Sequence, residues 1–484
     1  MSVLEGLQPK NVFHYFEKIT RIPHGSENTK QISDYLVDFA KDHNLSYVQD
    51  ESNNVIIRKG ASVGYENSIG VILQGHCDMV CEKKAGSDHD FKHDPLDLEI
   101  EGDFISARDT TLGGDDGIAV AYMLAILDDN SISHPSLECV FTTDEEIGLL
   151  GADALDTSLL SGRRMINLDS EEEGSIWTSC AGGMRSDCEI PVTRRRVHGT
   201  RYTVVIDGLQ GGHSGSEIDK NRANSNILLG RFLYGLGQKT NYSLIEAEGG
   251  SKDNAIPRKS SVALVIDEDE SEVLLSYSRK LESDLKKEYE HTDDGIQITI
   301  EKDSTGDYNV LSQVSREKLT FYLMNVPNGI QKMSGSIEGL VETSCNLGIF
   351  SMSPEDDHLL GALSVRSSVE SAKDALSDRL CYLTEFLGGN YGTRGSYPAW
   401  EYREDSPLRD VMVKVYEDIY QEKPQVVAIH AGLECGLFYG RMDQLDCASI
   451  GPDLTDVHTT EEKMSISSAK RVYEYLLNVL KNLK

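Results

Sequence analysis

A histidine and an aspartate two residues apart follow a run of apolar residues in the segment VILQGHCDMV, residues 71–80. Side chains alternate across a β-strand, so His76 and Asp78 would share one face while Cys77 points to the other. Such a pair can bind a metal ion through the imidazole while the acid orients the ring. Taken alone, it is more often a structural pair, so the interpretation depends on other segments.

Three more apolar segments end in acidic residues or a histidine. LECVFTTDEE supplies Glu145 and Glu146, RMINLD supplies Asp169, and DCASIGPDLTDVH supplies His458. In open α/β sheets, ligands collect at the carboxyl ends of the strands. The four segments therefore predict one site at one edge of a sheet.

A fifth segment, TTLGGDDGIAVAYMLAIL, places Asp115 and Asp116 directly before an apolar helix. A helix N-terminus stabilises a nearby carboxylate, so these two residues could be plain helix caps. One shared site explains all five segments better than five unrelated helix caps and structural pairs. Spacing alone does not choose between Asp115 and Asp116, or between the two adjacent glutamates.

Histidines and carboxylates without a cysteine pattern suit zinc, manganese or cobalt. Three carboxylates and one hydroxide carry charge that two divalent ions would neutralise and one would not. A carboxylate bridging two ions about 3.5–4 Å apart is the arrangement of two-metal hydrolases. One of the adjacent glutamates could bind metal while the other accepts the proton of the attacking water.

The pattern of helices and strands that the sequence predicts changes twice along the chain. Up to about residue 183, amphipathic helices alternate with short apolar strands, which is typical of an α/β layer. Longer β-rich runs interleaved with helices then indicate an inserted α+β domain. The segment GGNYGTRGSYPAW, rich in turn residues, is where the chain should leave this insert. The prediction is a discontinuous domain of residues 1–184 and 397–484, with residues 185–396 inserted.

Composition excludes several classes of protein. The 484 residues carry 47 basic and 80 acidic side chains, a net charge of −33, which disfavours binding to nucleic acid or anionic membranes. The N-terminal segment lacks the features of a signal peptide, and GIAVAYMLAIL is too short to span a bilayer. Nine cysteines without a C-x-x-C pair predict no disulfide framework. We therefore expect a cytoplasmic protein.

Six motifs, in order along nearly the whole chain, resemble those of the M20 metallopeptidases: GHCDMV, TTLGGDDGIA, TTDEEIG, NLDSEEEG, GLQGGHSG and VHTTEEK. The segments VFHYFEKITRIPHGSENTKQISDYL and SKDNAIPR are similar to the aminoacyl-histidine dipeptidase branch, the peptidase D or carnosinase-like enzymes. This resemblance implies an α/β fold. Its catalytic domain would be a mixed-sheet, three-layer structure carrying an inserted α+β domain for lid closure and dimerisation.

The resemblance also implies roles for individual residues. The implied metal ligands are His76, Asp115, Glu146, Asp169 and His458. His76 and Asp169 would hold one ion, Glu146 and His458 the other, and Asp115 would bridge them. Glu145 would be the general base, and Asp78 the acid that orients the ring of His76.

The implied contacts to substrate come from the inserted domain and from the C-terminal part of the discontinuous domain. His213 in GGHSG would polarise the scissile carbonyl and stabilise the oxyanion. Asn254 in SKDNAIPR, Arg366 in LSVRSS and the backbone at Gly432 in IHAGLECG would hold the dipeptide, with Arg366 binding its C-terminal carboxylate. A structural salt bridge remains an open alternative for Arg366.

The function predicted is that of a dipeptidase with two divalent ions, zinc with manganese or cobalt as alternatives. It would hydrolyse small dipeptides of the Xaa-His or β-alanyl-histidine type through a metal-activated hydroxide, and would form a homodimer through the lid domain. An N-acyl-amino-acid deacylase with the same metals is the first alternative. A non-catalytic metal- or peptide-binding relative is a second, but such a protein usually loses the base, which this chain keeps as Glu145. No G-x-S-x-G, G-x-x-x-x-G-K-[ST] or H-E-x-x-H motif supports another enzyme class.

Overall fold

The computed structural model describes residues 3–484, which divide into two units. The first unit contains the described residues up to 180 together with 402–428 and 433–484, and the second contains 181–401 and 429–432. The sequence placed the boundaries at 184/185 and 396/397, and did not anticipate that residues 429–432 belong to the second unit. There the backbone N–H of Ala181 donates to the carbonyls of Ile429 (3.2 Å) and Ala431 (3.1 Å).

The chain begins with helices and strands of the first unit. Its first four helices are α1 (Lys10–Ile19), α2 (Lys30–Asp42), α3 (Gly114–Asp128) and α4 (Leu150–Ala154), with a 3₁₀ turn at Thr157–Leu159. The strands are β1 (Ser46–Gln49), β2 (Val55–Lys59), β3 (Val71–His76), β4 (Leu98–Glu101), β5 (Phe104–Ala107), β6 (Leu137–Thr142), β7 (Arg164–Asn167) and β8 (Ser175–Cys180).

The second unit follows. Its strands are β9 (Gly182–Pro191), β10 (Arg194–Asp207), β11 (Gly212–His213), β12 (Ser243–Gly249), β13 (Ala255–Ile256), β14 (Ser260–Ile266), β15 (Gln297–Leu311), β16 (Gly329–Met333), β17 (Val341–Met352), β18 (His358–Ser367) and β19 (Asn390–Tyr397). Its α-helices are α5 (Ser225–Gly237), α6 (Ser271–Glu288), α7 (Gln313–Asn325) and α8 (Glu370–Phe386), with 3₁₀ turns at Ile218–Lys220 and Glu268–Glu270.

The chain then returns to the first unit. The remaining strands are β20 (Gln425–Ile429), β21 (Asp446–Ser449), β22 (Leu454–Thr455) and β23 (Lys463–Ser465), and the remaining helices are α9 (Pro407–Tyr420), α10 (Glu434–Arg441) and α11 (Ile466–Asn482).

An eight-stranded mixed sheet forms the centre of the first unit, in the order β1-β2-β6-β3-β7-β21-β8-β20. Strands β6, β3, β7 and β21 run parallel to their neighbours within this group, whereas β1, β2 and β8 pair antiparallel. The four parallel strands are largely apolar and buried, as expected for strands covered on both faces. Their carboxyl ends therefore lie at one edge of the sheet.

Strand β3 shows that helices cover both faces of this sheet. Val71 and Leu73 join a core shared with α1 and α3. Gln74 points to the opposite face, where its amide donates to the carboxylate of Glu434 at the start of α10 (2.5 Å). The first unit is thus a helix–sheet–helix sandwich, which is the three-layer arrangement predicted.

Helix α3 lies directly against β3, and Gly75 permits this close approach. A Cβ atom at Gly75 would lie 2.6 Å from the Cβ of Ala119 and 2.3 Å from Oδ2 of Asp116. Every residue of α3 from Gly114 to Leu127 is buried, because the sequence GIAVAYMLAIL is apolar around the whole helix. The carboxylates at its start are consequently carried into the interior.

The second unit is built on an antiparallel sheet in the order β15-β10-β14-β12-β17-β18-β9-β19, with β16 paired to β17. Helices α5, α6, α7 and α8 contribute to the core beneath it. The segment in which we expected the chain to leave the insert, GGNYGTRGSYPAW, contains strand β19, which is paired with β9 from Asn390 to Tyr397. Strand pairing holds these turn-forming residues extended, and the second unit continues to residue 401, a few residues beyond the expected boundary. Among residues 3–484, no helix combines the length and apolar character needed to cross a bilayer.

Candidate metal centre and active site

The predicted ligands lie where the parallel strands end. Strand β3 ends at His76, which pairs with Thr142 at the end of β6. On its other side, the pairing of β3 with β7 ends two residues earlier, where Gln74 lies opposite Asn167. Glu145 and Glu146 follow β6, and Asp169 follows β7. His458 lies in the loop between β22 and β23, nine residues after the end of β21. The structure therefore brings these four segments to one edge, as the sequence indicated.

Asp115 lies between two histidines. Its Oδ1 is 3.0 Å from Nε2 of His76, and its Oδ2 is 3.0 Å from Nε2 of His458. Asp169 Oδ1 is 3.4 Å from the same nitrogen of His76, and Glu146 Oε1 is 2.9 Å from that of His458. We call His76 with Asp169 the buried half-site and Glu146 with His458 the exposed half-site, with Asp115 shared by both.

The neighbouring Asp116 occupies a different position. Its Oδ2 accepts the backbone N–H of His76 at 3.2 Å. Among residues 3–484, the possible metal-binding cluster that includes Asp116 contains His76 and Asp169 but not His458. The peptide bond between Asp115 and Asp116 is cis. Asp115 is thus the one aspartate of the pair that contacts both histidines, a choice that spacing left open.

The two half-sites differ in exposure. The side chain of His76 is 1% exposed, whereas that of His458 is 50% exposed. The carboxylates of Asp115, Asp169 and Glu146 are 10%, 8% and 6% exposed. Buried carboxylates require a compensating charge, and within residues 3–484 these three form ion pairs with histidines but with no lysine or arginine. Their donor set fits divalent cations of the zinc type.

The pKa values of these groups are strongly perturbed in the metal-free protein. Burial opposes protonation of His76, but Asp169, Asp115 and Asp78 outweigh it and raise its pKa well above the usual range. Hydrogen bonds to Asp115 and Glu146 raise the pKa of His458 to about 11. Burial opposes ionisation of Asp115, yet the two histidines lower its pKa. The histidines thus act as the cations of the metal-free site.

Glu145 and Asp78 lie beside the ligands. Burial, supported by Asp169, raises the pKa of Glu145 well above its usual range, as a general base requires. Asp78 Oδ1 accepts the backbone N–H of Glu145 at 3.1 Å and lies 3.4 Å from Nδ1 of His76. The hydroxyl of Ser26 donates to Asp78 Oδ2 at 2.8 Å. Asp78 therefore connects the loop that carries Glu145 to the ring of His76.

Beneath the ligands lies a belt of buried polar side chains that the sequence reading missed. Gln74 donates to Thr142 (3.1 Å) and to Glu434 (2.5 Å) and accepts from Asn167 (2.7 Å). The hydroxyl of Thr142 also donates to Glu434 at 2.7 Å. Gln74 and Asn167 each precede a predicted ligand by two residues and so share its strand face. A polar residue two positions before the predicted ligand, in strands that are otherwise largely apolar, was the available signal.

The predicted oxyanion donor, His213, lies in the second unit. Its Nδ1 accepts the backbone N–H groups of Gly215 (3.3 Å) and Ser216 (3.1 Å). Because Nδ1 is an acceptor, the proton of the neutral ring is on Nε2. Burial, together with Arg366, lowers the pKa of His213 and keeps the ring neutral. His213 pairs with Ala255 in a two-stranded ladder, directly beside Asn254. The ring can therefore donate through Nε2.

Arg366 and Gly432 lie in the same unit. Arg366 is 5% exposed, and its guanidinium donates to the hydroxyl of Tyr397 at 2.9 Å. Among residues 3–484 it forms no ion pair with an acidic side chain, and its Nε has no hydrogen-bond partner, so the structural salt bridge left open by the sequence is not formed. A Cβ at Gly432 would lie 2.6 Å from the ring of Tyr397, a residue that the sequence reading missed.

Comparison with known proteins gives full-length similarity. Residues 72–482 match the peptidase family M20/M25/M40. The cytosol non-specific dipeptidase of Escherichia coli (strain K12) is 35% identical over 485 residues, covering 100% of this chain and 99% of that protein. The crystal structure of aminoacylhistidine dipeptidase from Vibrio alginolyticus has a TM-score of 0.94 at 34% identity, covering 99% of this chain and 98% of that one.

A more distant structure shares the fold. The aminopeptidase PepT from Bacillus cereus has a TM-score of 0.57 at 13% identity and covers 99% of both chains. The predicted family and fold class are confirmed by these similarities, and so is the predicted enzyme class, a hydrolase of peptide bonds. The roles of individual residues stay predictions. The chain belongs to the peptidase family M20/M25/M40.

Proposed function

We propose that this protein is a dipeptidase that binds two divalent metal ions. The observation that carries the proposal is the position of Asp115, which presents one carboxylate oxygen to each of two histidines at 3.0 Å. One carboxylate facing two half-sites is what a bridging ligand requires. His76 and Asp169 would hold one ion, and Glu146 and His458 the other.

Zinc is our choice of ion, with manganese and cobalt as the alternatives. The donors are imidazole nitrogen and carboxylate oxygen, which suit these ions better than magnesium or calcium. Two bound ions would polarise the peptide carbonyl and lower the pKa of the attacking water. Asp78 would hold Nδ1 of His76, so that Nε2 faces the ion.

Glu145 would perform the proton transfers. A base must accept the proton of the attacking water and return one to the departing amine. The carboxylate of Glu145 groups with His76 and Glu146, and all the ligand atoms lie within 4.8 Å of one another. Among the ligand-site glutamates, Glu146 contacts His458 directly, which leaves Glu145 for proton transfer.

The residues of the second unit would bind the dipeptide. His213, with its proton on Nε2, would donate to the oxyanion as the carbonyl becomes tetrahedral. Arg366, with an unpartnered and buried Nε, would bind the C-terminal carboxylate, and Asn254 and the backbone at Gly432 would position the peptide. The proposed substrates are Xaa-His dipeptides, because the Vibrio alginolyticus structure is that of an aminoacylhistidine dipeptidase.

We further propose a cytoplasmic homodimer. The Escherichia coli relative is a cytosol dipeptidase by name, which supports the location. Dimerisation through the second unit is carried over from the M20 resemblance. Mixing a His213→Ala variant with a Glu145→Gln variant tests whether His213 serves a neighbouring subunit, because only then would mixed dimers recover activity. Unrecovered activity in verified mixed dimers would confine His213 to its own subunit.

The first experiment measures amino-acid release from carnosine, Gly-His, Leu-Leu and N-acetyl-histidine. Metal-depleted protein is supplied with zinc, manganese or cobalt in turn. Metal-dependent cleavage of the dipeptides alone is the expected result. Cleavage of N-acetyl-histidine alone would identify a deacylase instead. Two bound ions with no cleavage of any of the four would contradict the proposed activity on these substrates.

A base variant separates chemistry from metal binding. Glu145→Gln should retain two ions per chain while kcat falls by about 10²–10⁴-fold, the usual contribution of a general base. Glu268→Gln is the control, since Glu268 is 69% exposed and pairs with Lys302 in the second unit. Unchanged kcat in the Glu145 variant would remove that residue from the mechanism.

A further inference from the structure

Glu462 is a buried carboxylate in the motif VHTTEEK, four residues after His458. The residue is 3% exposed, although its neighbour Glu461 has a side chain that is 61% exposed and pairs with Lys84 at 2.8 Å. Within residues 3–484 no lysine or arginine forms an ion pair with Glu462. A buried carboxylate needs hydrogen-bond donors in place of a cation. The donors identify what Glu462 holds.

All four donors are consecutive backbone N–H groups of the loop that leads to Asp115. Glu462 Oε2 accepts from Leu112 (2.7 Å) and Gly113 (3.2 Å), and Oε1 accepts from Gly114 (2.8 Å) and Asp115 (3.4 Å). An ionised carboxylate accepts through both oxygens, whereas a glutamine could accept through only one. A glutamate at position 462 can therefore accept all four N–H groups of this loop, whereas a glutamine could not.

The loop is shaped to fit this carboxylate. Gly113 has a φ of 67°, which places its backbone in the left-handed region favoured by glycine. A Cβ at Gly114 would lie 3.2 Å from Oε1 of Glu462 and 2.9 Å from the side chain of Leu454. The two glycines let the backbone wrap around the carboxylate. The sequence and the backbone conformation of the loop therefore both accommodate the carboxylate of Glu462.

Glu462 also belongs to the segment that carries His458. The backbone N–H of Glu462 donates to the carbonyl of Thr459 at 3.2 Å, and that of Thr459 donates to Asp456 at 3.2 Å. These bonds form turns around His458, whose φ is 64°. One end of Glu462 is therefore fixed to the turn bearing His458, and the other to the loop bearing Asp115.

We propose that Glu462 is a positioning residue that sets the separation of Asp115 and His458, and so the affinity of the exposed half-site for its metal ion. The two ligands are 343 residues apart in sequence and 3.0 Å apart in space. The buried half-site has separate support from Asp78 and the belt around Gln74. This inference rests on the proposed two-metal function, because it assigns the second ion to His458.

The test uses Glu462→Gln and Glu462→Asp, with Glu461→Gln as the matched control. Dissociation constants for both zinc ions are measured by competition with a chromophoric chelator, and cobalt-loaded proteins are compared by visible absorption. We expect Glu462→Gln to weaken the second ion by about 10–100-fold, the usual effect of removing a residue that supports a ligand. The first ion should change by less than about threefold, and the control should match the wild type for both ions.

Amide hydrogen exchange of the metal-free proteins gives a readout independent of activity. Residues 112–115 should exchange faster in Glu462→Gln than in Glu461→Gln, because their N–H groups lose acceptors. The Glu462→Asp variant keeps the charge and shows whether reach or charge is decisive, should Glu462→Gln fail to fold.

The outcomes separate this inference from the proposed function. Two unchanged dissociation constants in folded Glu462→Gln would overturn the positioning role while leaving the two-metal proposal intact. Equal weakening of both ions, matched by a loss of global stability, would also overturn it, since the role would then be structural. A wild-type protein that binds no divalent ion would instead overturn the proposed function.

Discussion

His76 and His458 contact the same carboxylate from opposite sides, yet the fold holds them in different ways. His76 is the last residue of a buried parallel strand, with a side chain that is 1% exposed and a ring fixed by Asp78. His458 lies on a connection with left-handed backbone and a side chain that is 50% exposed. The first ligand is positioned by the sheet and the second by a loop.

This difference teaches that one carboxylate can contact two side chains that the fold holds with unequal rigidity. Strand β3 is paired with β6 on one side and with β7 on the other, so we expect His76 to keep its position whether or not metal is bound. Loop positions depend on fewer contacts, which lowers the free energy needed to move them. We therefore expect the ion at the exposed half-site to bind more weakly and to leave first when a chelator is added.

The largest effect should follow the loss of the shared carboxylate. In Asp115→Asn, the side chain can no longer give an anionic oxygen to each histidine, so both ions should weaken by more than about 100-fold. Metal content after gel filtration should fall from two ions per chain to below one. Asp116→Asn is the matched control, because it keeps an acceptor for the N–H of His76. Equal loss of metal in both variants would refute the assignment of the bridge to Asp115.

The next effect separates the two histidines. His76→Ala should prevent tight binding at the buried half-site, and it should also destabilise the metal-free protein by roughly 1–3 kcal/mol, since Asp115 and Asp169 lose a buried partner. His458→Ala should lose the second ion while keeping the first, with a smaller change in stability. Metal content and urea midpoints of the metal-free variants test this. Retention of one ion by His76→Ala but none by His458→Ala would contradict this expectation, because the exposed half-site would then be the one that binds its ion independently.

The smallest effect is a change in the number of protons released when zinc binds. Neighbouring carboxylates raise the pKa of His458 to about 11 in the metal-free protein, so its ring is charged at pH 7.5 and must lose a proton to bind metal. Zinc binding at pH 7.5 should therefore release about one proton fewer in His458→Ala than in the wild type. Calorimetry in buffers of different ionisation enthalpy measures this number.

The same pKa predicts the pH dependence of stability in the metal-free protein. The folded-state pKa is raised, so the stabilising charge on His458 is fully present below about pH 6.5, the unfolded value, and is lost as pH rises towards 11. The urea midpoint should fall more between pH 7 and pH 10 in the wild type than in His458→Ala. His291→Ala, whose side chain is 88% exposed, is the control. If the urea midpoints of wild type and His458→Ala fell in parallel with pH, the charge on His458 would contribute nothing to the stability of the metal-free protein.

Much of the fold was readable because local pattern and tertiary structure agree. The apolar run before His76 is strand β3, and GIAVAYMLAIL lies within the buried helix α3. Strand β19 was misread because its glycines and aromatic residues are typical of turns, whereas pairing with β9 holds them extended. Local propensity is weaker than strand pairing in such segments.

The sequence supplied candidate ligands, which the structure brings together, but not the residues that support them. Histidines and acids after apolar strands are unusual enough to identify, yet Gln74 and Asn167 are ordinary residue types whose role depends on facing each other at 2.7 Å. Glu461 and Glu462 are identical in type and adjacent in sequence. One is exposed and paired with Lys84, and the other is buried against the loop of Asp115. Sequence has no signal that separates them.

The sequence by itself determined the family and the layer class of the first unit, and it supplied the candidate metal ligands, because ordered motifs, residue types and local spacing are all read from short segments. Residue type and spacing left Asp115 and Asp116 as alternatives, and the family resemblance favoured Asp115. The tertiary structure places Asp115 between His76 and His458, and it alone shows that Glu462 connects the two loops. These choices depend on distances between atoms that are up to 350 residues apart along the chain. Such distances are set by the packing of the whole first unit, which no short segment encodes.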